Sequence, residues 1–393
     1  MRRAFLLAAS AFVVAGLAGA LMRFGMQHGL PFDLRLEHVR FAHTHVMYFG
    51  WATPALFALI GALVAERTAR APSRLARAAT GLALASAAAS FVPFLLDGYG
   101  FTQVGGVRLP LSMIASSGAL VAWGAWAVAY VVATWDLRRD LALVAIDAGV
   151  LALLIASAGA WGLAAAAFAP VAPGMLMDRL VPFYLGVFSS GWFALAVVGL
   201  LAGALTMRLD ERLGRVAVAL LLAGTLVAAF ADLLATGPAW IAVAARLAAS
   251  YGAVVLGLQL VLAAGRARWA GALLLGAMLA GKGLVEGALA LERVARWSER
   301  AALPVWLAHG YLLGLVTLAL AWLALRRWRP DARGWFWGVA ATVAVLLVGI
   351  APLTQAWPFA RGAWVLPFAA WTSLAPVLGV ATLAWVVAPE RRR

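Results

Sequence analysis

The sequence predicts an all-α fold: a polytopic membrane helix bundle of about 12 transmembrane helices, forming a single integral membrane domain over 1–393. Three observations predict it. Apolar runs of about 20 residues, the length of helix that crosses a bilayer, recur along the whole 393-residue chain. Charged residues make up only 12%, about half the share found in soluble domains. The apolar runs are unbroken rather than alternating. In lipid, where backbone groups must be paired internally, this pattern selects helices over a barrel.

The runs lie at 4–22, 41–65, 78–96, 109–134, 141–169, 181–206, 216–236, 239–264, 269–290, 304–325, 335–355 and 364–388. The first follows Met1-Arg2-Arg3 and ends near Gly19-Ala20. A basic start, an apolar middle and small residues suit a cleaved signal peptide, but the run is long enough to span, and a retained first helix is the reading preferred here. Pro31-Phe32-Asp33 reads as a helix start with Asp33 as N-cap, so the second helix is expected to begin near Leu34, before its apolar stretch. Pro304 is a good first residue for the tenth. No linker is long enough to separate soluble domains, and no internal repeat is legible.

Lys and Arg alternate with the spans. The side shared by Arg2, the Arg67–Arg77 loop, Arg138, Arg208, Arg266, the Arg326–Arg333 loop and Arg391–Arg393 carries 20 of them, and the other side carries 9, Arg23, Arg35 and Arg40 among them. By the positive-inside rule both termini are expected to be cytoplasmic, and the membrane expected is a bacterial inner membrane. Topology therefore accounts for the net charge of +15, and nucleic acid is not expected as a partner; the partner is the lipid bilayer. With no Cys, disulfides, thiolate metal sites and Cys-linked haem are excluded.

Candidate function concentrates in five histidines. His28 and His38 fall in the first outer loop and read as interfacial. His43 lies two residues into the second apolar run, and His309 lies five residues after Pro304. Both helices run inward from the outer face, so at 1.5 Å per residue the two histidines reach similar depth. Ligand-type side chains inside a membrane are functional candidates. Two neutral imidazoles on facing helices can serve as the axial ligands of one low-spin haem; the bland alternative is that each bonds a neighbouring helix. His43 and His45 are about 200° apart on a helix, so they cannot both face one haem, and His45 stands as the alternative ligand. Elsewhere, Asp232 and Arg246 lie at comparable depth and could form a pair, or Arg246 could meet haem propionates. Lys282 and Glu286 are spaced i,i+4 as a self-neutralising pair. These intramembrane charges motivate a rival function, a small-molecule or ion transporter, although paired Gly/Pro-broken helices are not evident. A structural role without cofactor is the third class.

The residues around His43 resemble the second helix of the haem-copper oxidase subunit I superfamily. His43, Met47, Phe49, Pro54, Ala55 and Leu56 match its spacing, and Leu307-Ala308-His309-Gly310 followed by Gly314 resembles its tenth helix. The resemblance implies that His43 and His309 hold a low-spin haem b, that Arg361 in the last outer loop meets propionates, and that a quinol or periplasmic electron carrier is the partner. It also implies a departure. Leu307 stands where the family's high-spin haem ligand would be, and a full oxidase needs six such histidines against the five here. The chain is therefore no conventional oxygen or nitric oxide reductase. His43-Thr44-His45-Val46-Met47-Tyr48-Phe49-Gly50-Trp51 also resembles a motif of the NnrS family, linked to nitric oxide stress, with Val46 in place of its Glu.

Overall fold

A computed structural model describes residues 1–166, 173–205, 209–234 and 238–389. Arg208 and Arg391–Arg393 of the charge count lie outside them. Among the described residues, twelve helices are long and apolar enough to cross a membrane: α1 (Arg2–His28), α2 (Leu36–Thr68), α3 (Arg74–Asp97), α4 (Leu111–Thr134), α5 (Leu141–Ala165), α6 (Asp178–Ala204), α7 (Glu211–Leu234), α8 (Ala239–Ala267), α9 (Ala270–Leu289), α10 (Leu303–Trp328), α11 (Trp335–Leu353) and α12 (Val365–Val387). The fold is an all-α polytopic helix bundle. Each helix overlies one apolar run of the sequence, and most outrun it by a few polar residues, because the backbone ladder continues where the apolar side chains stop.

Two boundaries differ from the sequence expectation. α1 continues to His28, so Arg23 is a helix residue rather than a loop residue. α2 starts at Leu36, not Leu34. Pro31–Asp33 forms a tight 3-10 turn in which Phe32 and Asp33 have φ of 57° and 54°, and Asp33 caps nothing. Between α3 and α4 lies a two-stranded hairpin, β1 (Thr102–Val104) with β2 (Val107–Leu109), in the register Thr102 to Leu109. Its turn, Gly105-Gly106, has positive φ at both residues, the requirement of a type I′ hairpin turn.

The chain divides into two compact units, Met1–Ala133 with Arg300–Arg393, and Thr134–Glu299. In the first, α2 is the most enclosed helix. Trp51, 1% exposed, is met edge-on by Phe5 and Phe12 of α1, and Phe57 stacks on Trp126 of α4 at 4.0 Å. The basic helix ends of this unit gather at one end. Arg2 donates to the carbonyls of Val387 and Ala388 at 2.5 and 2.8 Å, Arg329 donates to that of Val386, and Arg327 pairs with Glu66 at 2.6 Å. Loops assigned to one side by charge counting thus do share a side. Arg329 also donates to Asp331 at 2.9 Å and holds its carboxyl below the usual range.

In the second unit, α8 is clasped between α7 and α9. Gly224 of α7 packs on the α8 backbone at Ala245 and Ala249, and Gly257 of α8 packs on the α9 backbone at Gly276 and Ala280. Contacts of this closeness through small residues are how helices associate in lipid, where apolar burial gives no net drive. The Ser250 hydroxyl adds a 2.6 Å hydrogen bond to the Gly283 carbonyl.

Candidate functional site

His43 and His309 line one cavity of about 740 Å³ in the first unit, between α1, α2, α10 and the end of α11. Its wall is mainly apolar, with Phe12, Met22, Met47, Leu313 and Ile350 among the lining side chains and Arg23, Glu37 and Arg40 among the charged ones. Pockets for small molecules fall in this size range and have this mixture of apolar wall and few polar groups.

The imidazoles are set in matching ways. His43 Nδ1 lies 2.7 Å from the Ala15 carbonyl on α1, and His309 Nδ1 lies 2.7 Å from the Val305 carbonyl one turn back in α10. A carbonyl can only accept, so each Nδ1 carries the proton and each Nε2 keeps its lone pair. Metal-bound histidines have this second shell: one ring nitrogen donates to a carbonyl and the other is left as ligand. The shelf under His43 is built by Ala15 and Gly19, one helical turn apart on α1; a Cβ at Gly19 would stand only 2.9 Å from His43 Cε1.

His45 is placed elsewhere, as the 200° separation requires. Its Nδ1 donates to the Phe41 carbonyl at 3.0 Å, its Nε2 faces the Tyr99 hydroxyl at 3.4 Å, and its ring stacks on Phe94 at 3.8 Å. It does not line the cavity. The Tyr99 phenol, pushed up to about 12 by burial, stays protonated and donates to it. His38 donates to the Leu96 carbonyl at 2.7 Å, near the end of α3.

The other sequence candidates are not brought to this cavity. Arg246 grips Asp232 with two contacts of 2.6 and 2.7 Å. The expected pair is made, half-exposed rather than buried, and it lies in the second unit. Arg361 sits in the exposed loop before α12 and is not a lining residue. The residue the sequence reading missed is Arg23. Assigned to a loop by its charge, it is buried at 6% exposure and lines the cavity. The signal was its spacing: Ala15, Gly19 and Arg23 recur every four residues on one helix face.

Among the described residues, three seven- or eight-residue π-helical segments interrupt the helices: Val46–Ala52 in α2, Val187–Phe193 in α6 and Gly310–Thr317 in α10. They recur at every fourth span, and the fifth residue of each is a glycine, Gly50, Gly191 and Gly314. A recurrence of backbone form thus exists where no sequence repeat is legible. Such insertions are frequent at functional sites, and two of the three directly follow His43–His45 and His309. The Thr317 hydroxyl joins these two: it donates to the Leu312 carbonyl at 3.0 Å and accepts from the Trp51 indole N–H at 3.1 Å.

The remaining π segment, Val187–Phe193, carries a polar cluster in the second unit. Lys282 lies 2.5 Å from Glu286, and its side chain is 9% exposed. The Ser190 hydroxyl accepts from Lys282 at 3.0 Å and donates to Glu286 at 3.0 Å. Among the described residues no three His, Cys, Asp or Glu side chains converge as a metal site. Compared with known proteins, the chain matches no family model and no curated protein.

Proposed function

We propose that this chain is a haem-binding membrane protein that holds one low-spin haem b between His43 and His309 and works in electron transfer or redox sensing. One observation carries the reading: two imidazoles, each with Nδ1–H committed to a backbone carbonyl and Nε2 left as a lone pair, line a single cavity whose wall is mainly apolar. The donor set fits. Two neutral histidines suit iron, the cavity volume lies in the range of small-molecule and cofactor sites, and the Gly19 shelf lets an imidazole lie against α1. The motif likeness to the second and tenth helices of haem-copper oxidase subunit I points to the same two residues; a link to nitric oxide stress rests on the NnrS likeness alone.

When bound, the haem supplies a reversible one-electron couple. The residues orient it and exclude water. The Ala15 and Val305 carbonyls fix each ring's tautomer and direction, and raise its basicity toward a metal. The Trp51–Thr317 hydrogen bond ties the two π segments beneath the histidines. His43 and His309 would both hold the iron, and a haem so held would supply electron exchange with a quinol or periplasmic carrier rather than oxygen binding. The charge alternation puts the histidines toward the outer face of a bacterial inner membrane, with both termini cytoplasmic.

The test is a reduced-minus-oxidised optical spectrum with haem quantified, for wild type, His43→Ala and His309→Ala. One haem per chain with a low-spin spectrum, lost or turned high-spin in each variant, is the expected result. No haem in protein made with ample haem supply refutes the proposal. A second reading, transport through the charged helices, is favoured by the Ser190–Lys282–Glu286 cluster, because ionisable groups inside a membrane mark ion paths. Haem content separates the two.

A further inference from the structure

We propose that Arg23 is the carboxylate anchor of the cavity and at the same time the guard of His309. The inference rests on the haem reading and concerns how the ligand is recognised. Arg23 is 6% exposed, and no ion pair among the described residues involves it. Its two hydrogen bonds are long: to the Gly19 carbonyl at 3.3 Å and to His309 Nε2 at 3.3 Å. A guanidinium has five N–H donors, and a buried cation without an anion is strongly disfavoured.

The acidic group that shares the cavity does not neutralise it. Glu37 is turned to Arg35 and Arg40 at 4.0 and 3.8 Å, and all three side chains are at least half exposed. The missing negative charge therefore has to come with the ligand. An apolar cavity with one buried, uncompensated arginine calls for an amphiphile with an apolar body and a carboxylate. Haem, with its propionates, belongs to that class.

The second role follows from the 3.3 Å contact. Arg23 donates to the very nitrogen that would take the metal. One guanidinium branch cannot stay on His309 Nε2 while iron binds there, whereas a carboxylate offers it a stronger, charge-assisted partner. Arrival of the carboxylate and release of His309 are thereby coupled through one side chain. Arg23 is a positioning residue in this scheme; it does no chemistry on iron.

The experiment titrates full-length, haem-depleted protein in detergent with haem b and with its dimethyl ester, in which the propionate charges are removed. Wild type, Arg23→Gln, Arg23→Lys and Arg108→Gln are compared by optical spectra. Wild type is expected to prefer the free acid by about tenfold to a hundredfold, the range for hydrogen bonds to a charged group. In Arg23→Gln the preference disappears while the low-spin spectrum remains. Arg23→Lys keeps part of it, a point charge replacing a fork, and Arg108→Gln, in β2 and outside the cavity lining, keeps all of it.

Equal wild-type affinity for acid and ester overturns the inference without needing any variant to fold. So does an Arg23→Gln protein that retains the wild-type preference. Binding of neither compound by wild type overturns the haem reading itself, and the anchor with it.

Discussion

Replacing Gly19 with alanine tests how tightly α1 sets the His43 ring. A Cβ there would stand 2.9 Å from Cε1, 3.0 Å from Nδ1 and 3.7 Å from Nε2. Non-bonded carbons rest at about 3.5–4.0 Å, so the ring must retreat by roughly 0.6 Å. That motion strains the 2.7 Å hydrogen bond from Nδ1 to the Ala15 carbonyl, which fixes both tautomer and direction. Overpacking of this kind costs about 1–3 kcal/mol, which is about 5- to 150-fold in an equilibrium constant. The control is Gly81→Ala in α3, where a Cβ meets nothing within 4 Å. Both substitutions gain the same helix propensity, up to about 1 kcal/mol, so their difference isolates the clash. The assay is haem titration followed optically, with a thermal melt of each apo protein. Gly19→Ala is expected to bind haem at least fivefold more weakly than Gly81→Ala and to show an altered low-spin spectrum. If the two bind alike with the wild-type spectrum, His43 is not held on this shelf as a ligand.

Two further outcomes concern the π segments. Thr317→Val removes the acceptor of the buried Trp51 indole N–H and should cost about 1 kcal/mol of stability, read as a lowered Tm; Thr317→Ser should restore it, and an unchanged valine variant would show the bond to be incidental. Lys282→Met leaves Glu286 without its cation and should destabilise the protein more than the double Lys282→Met/Glu286→Gln change, which removes both charges. Proton flux in liposomes adds the functional arm: flux abolished in both variants supports the transport reading, whereas altered melting with no flux in any protein, wild type included, marks the cluster as structural.

Much of this was legible in the residues. In lipid the cost of an unpaired backbone group leaves helix as the sole outcome for a long unbroken apolar run, so the twelve helices follow from composition along the chain. His43 and His309 also stood out, because an imidazole in such a run is conspicuous. Arg23 did not: a charged residue at the end of an apolar run reads as an interfacial anchor. Only the packing of α1 against α2 and α10 shows that its side chain turns inward to a cavity. Arg246 and Arg361 do not line that cavity, and the sequence does not say so. Their positions in the chain suited a propionate, but nothing local states which cavity, if any, a side chain reaches.

The sequence by itself determined the solvent, the number of spans, their boundaries to within a few residues, and the sharing of one side by the basic ends of the first unit. These depend on terms summed along a single segment: apolar area, backbone pairing and loop charge. Tertiary structure alone decided the rest. It set the matching Nδ1–H tautomers of His43 and His309, the exclusion of His45 by Phe94 and Tyr99, the π segments joined through Thr317, and the uncompensated charge of Arg23. Apart from the His309 bond to Val305, one turn back in its own helix, these are relations between atoms far apart in the chain, at distances of about 3 Å that no local pattern encodes.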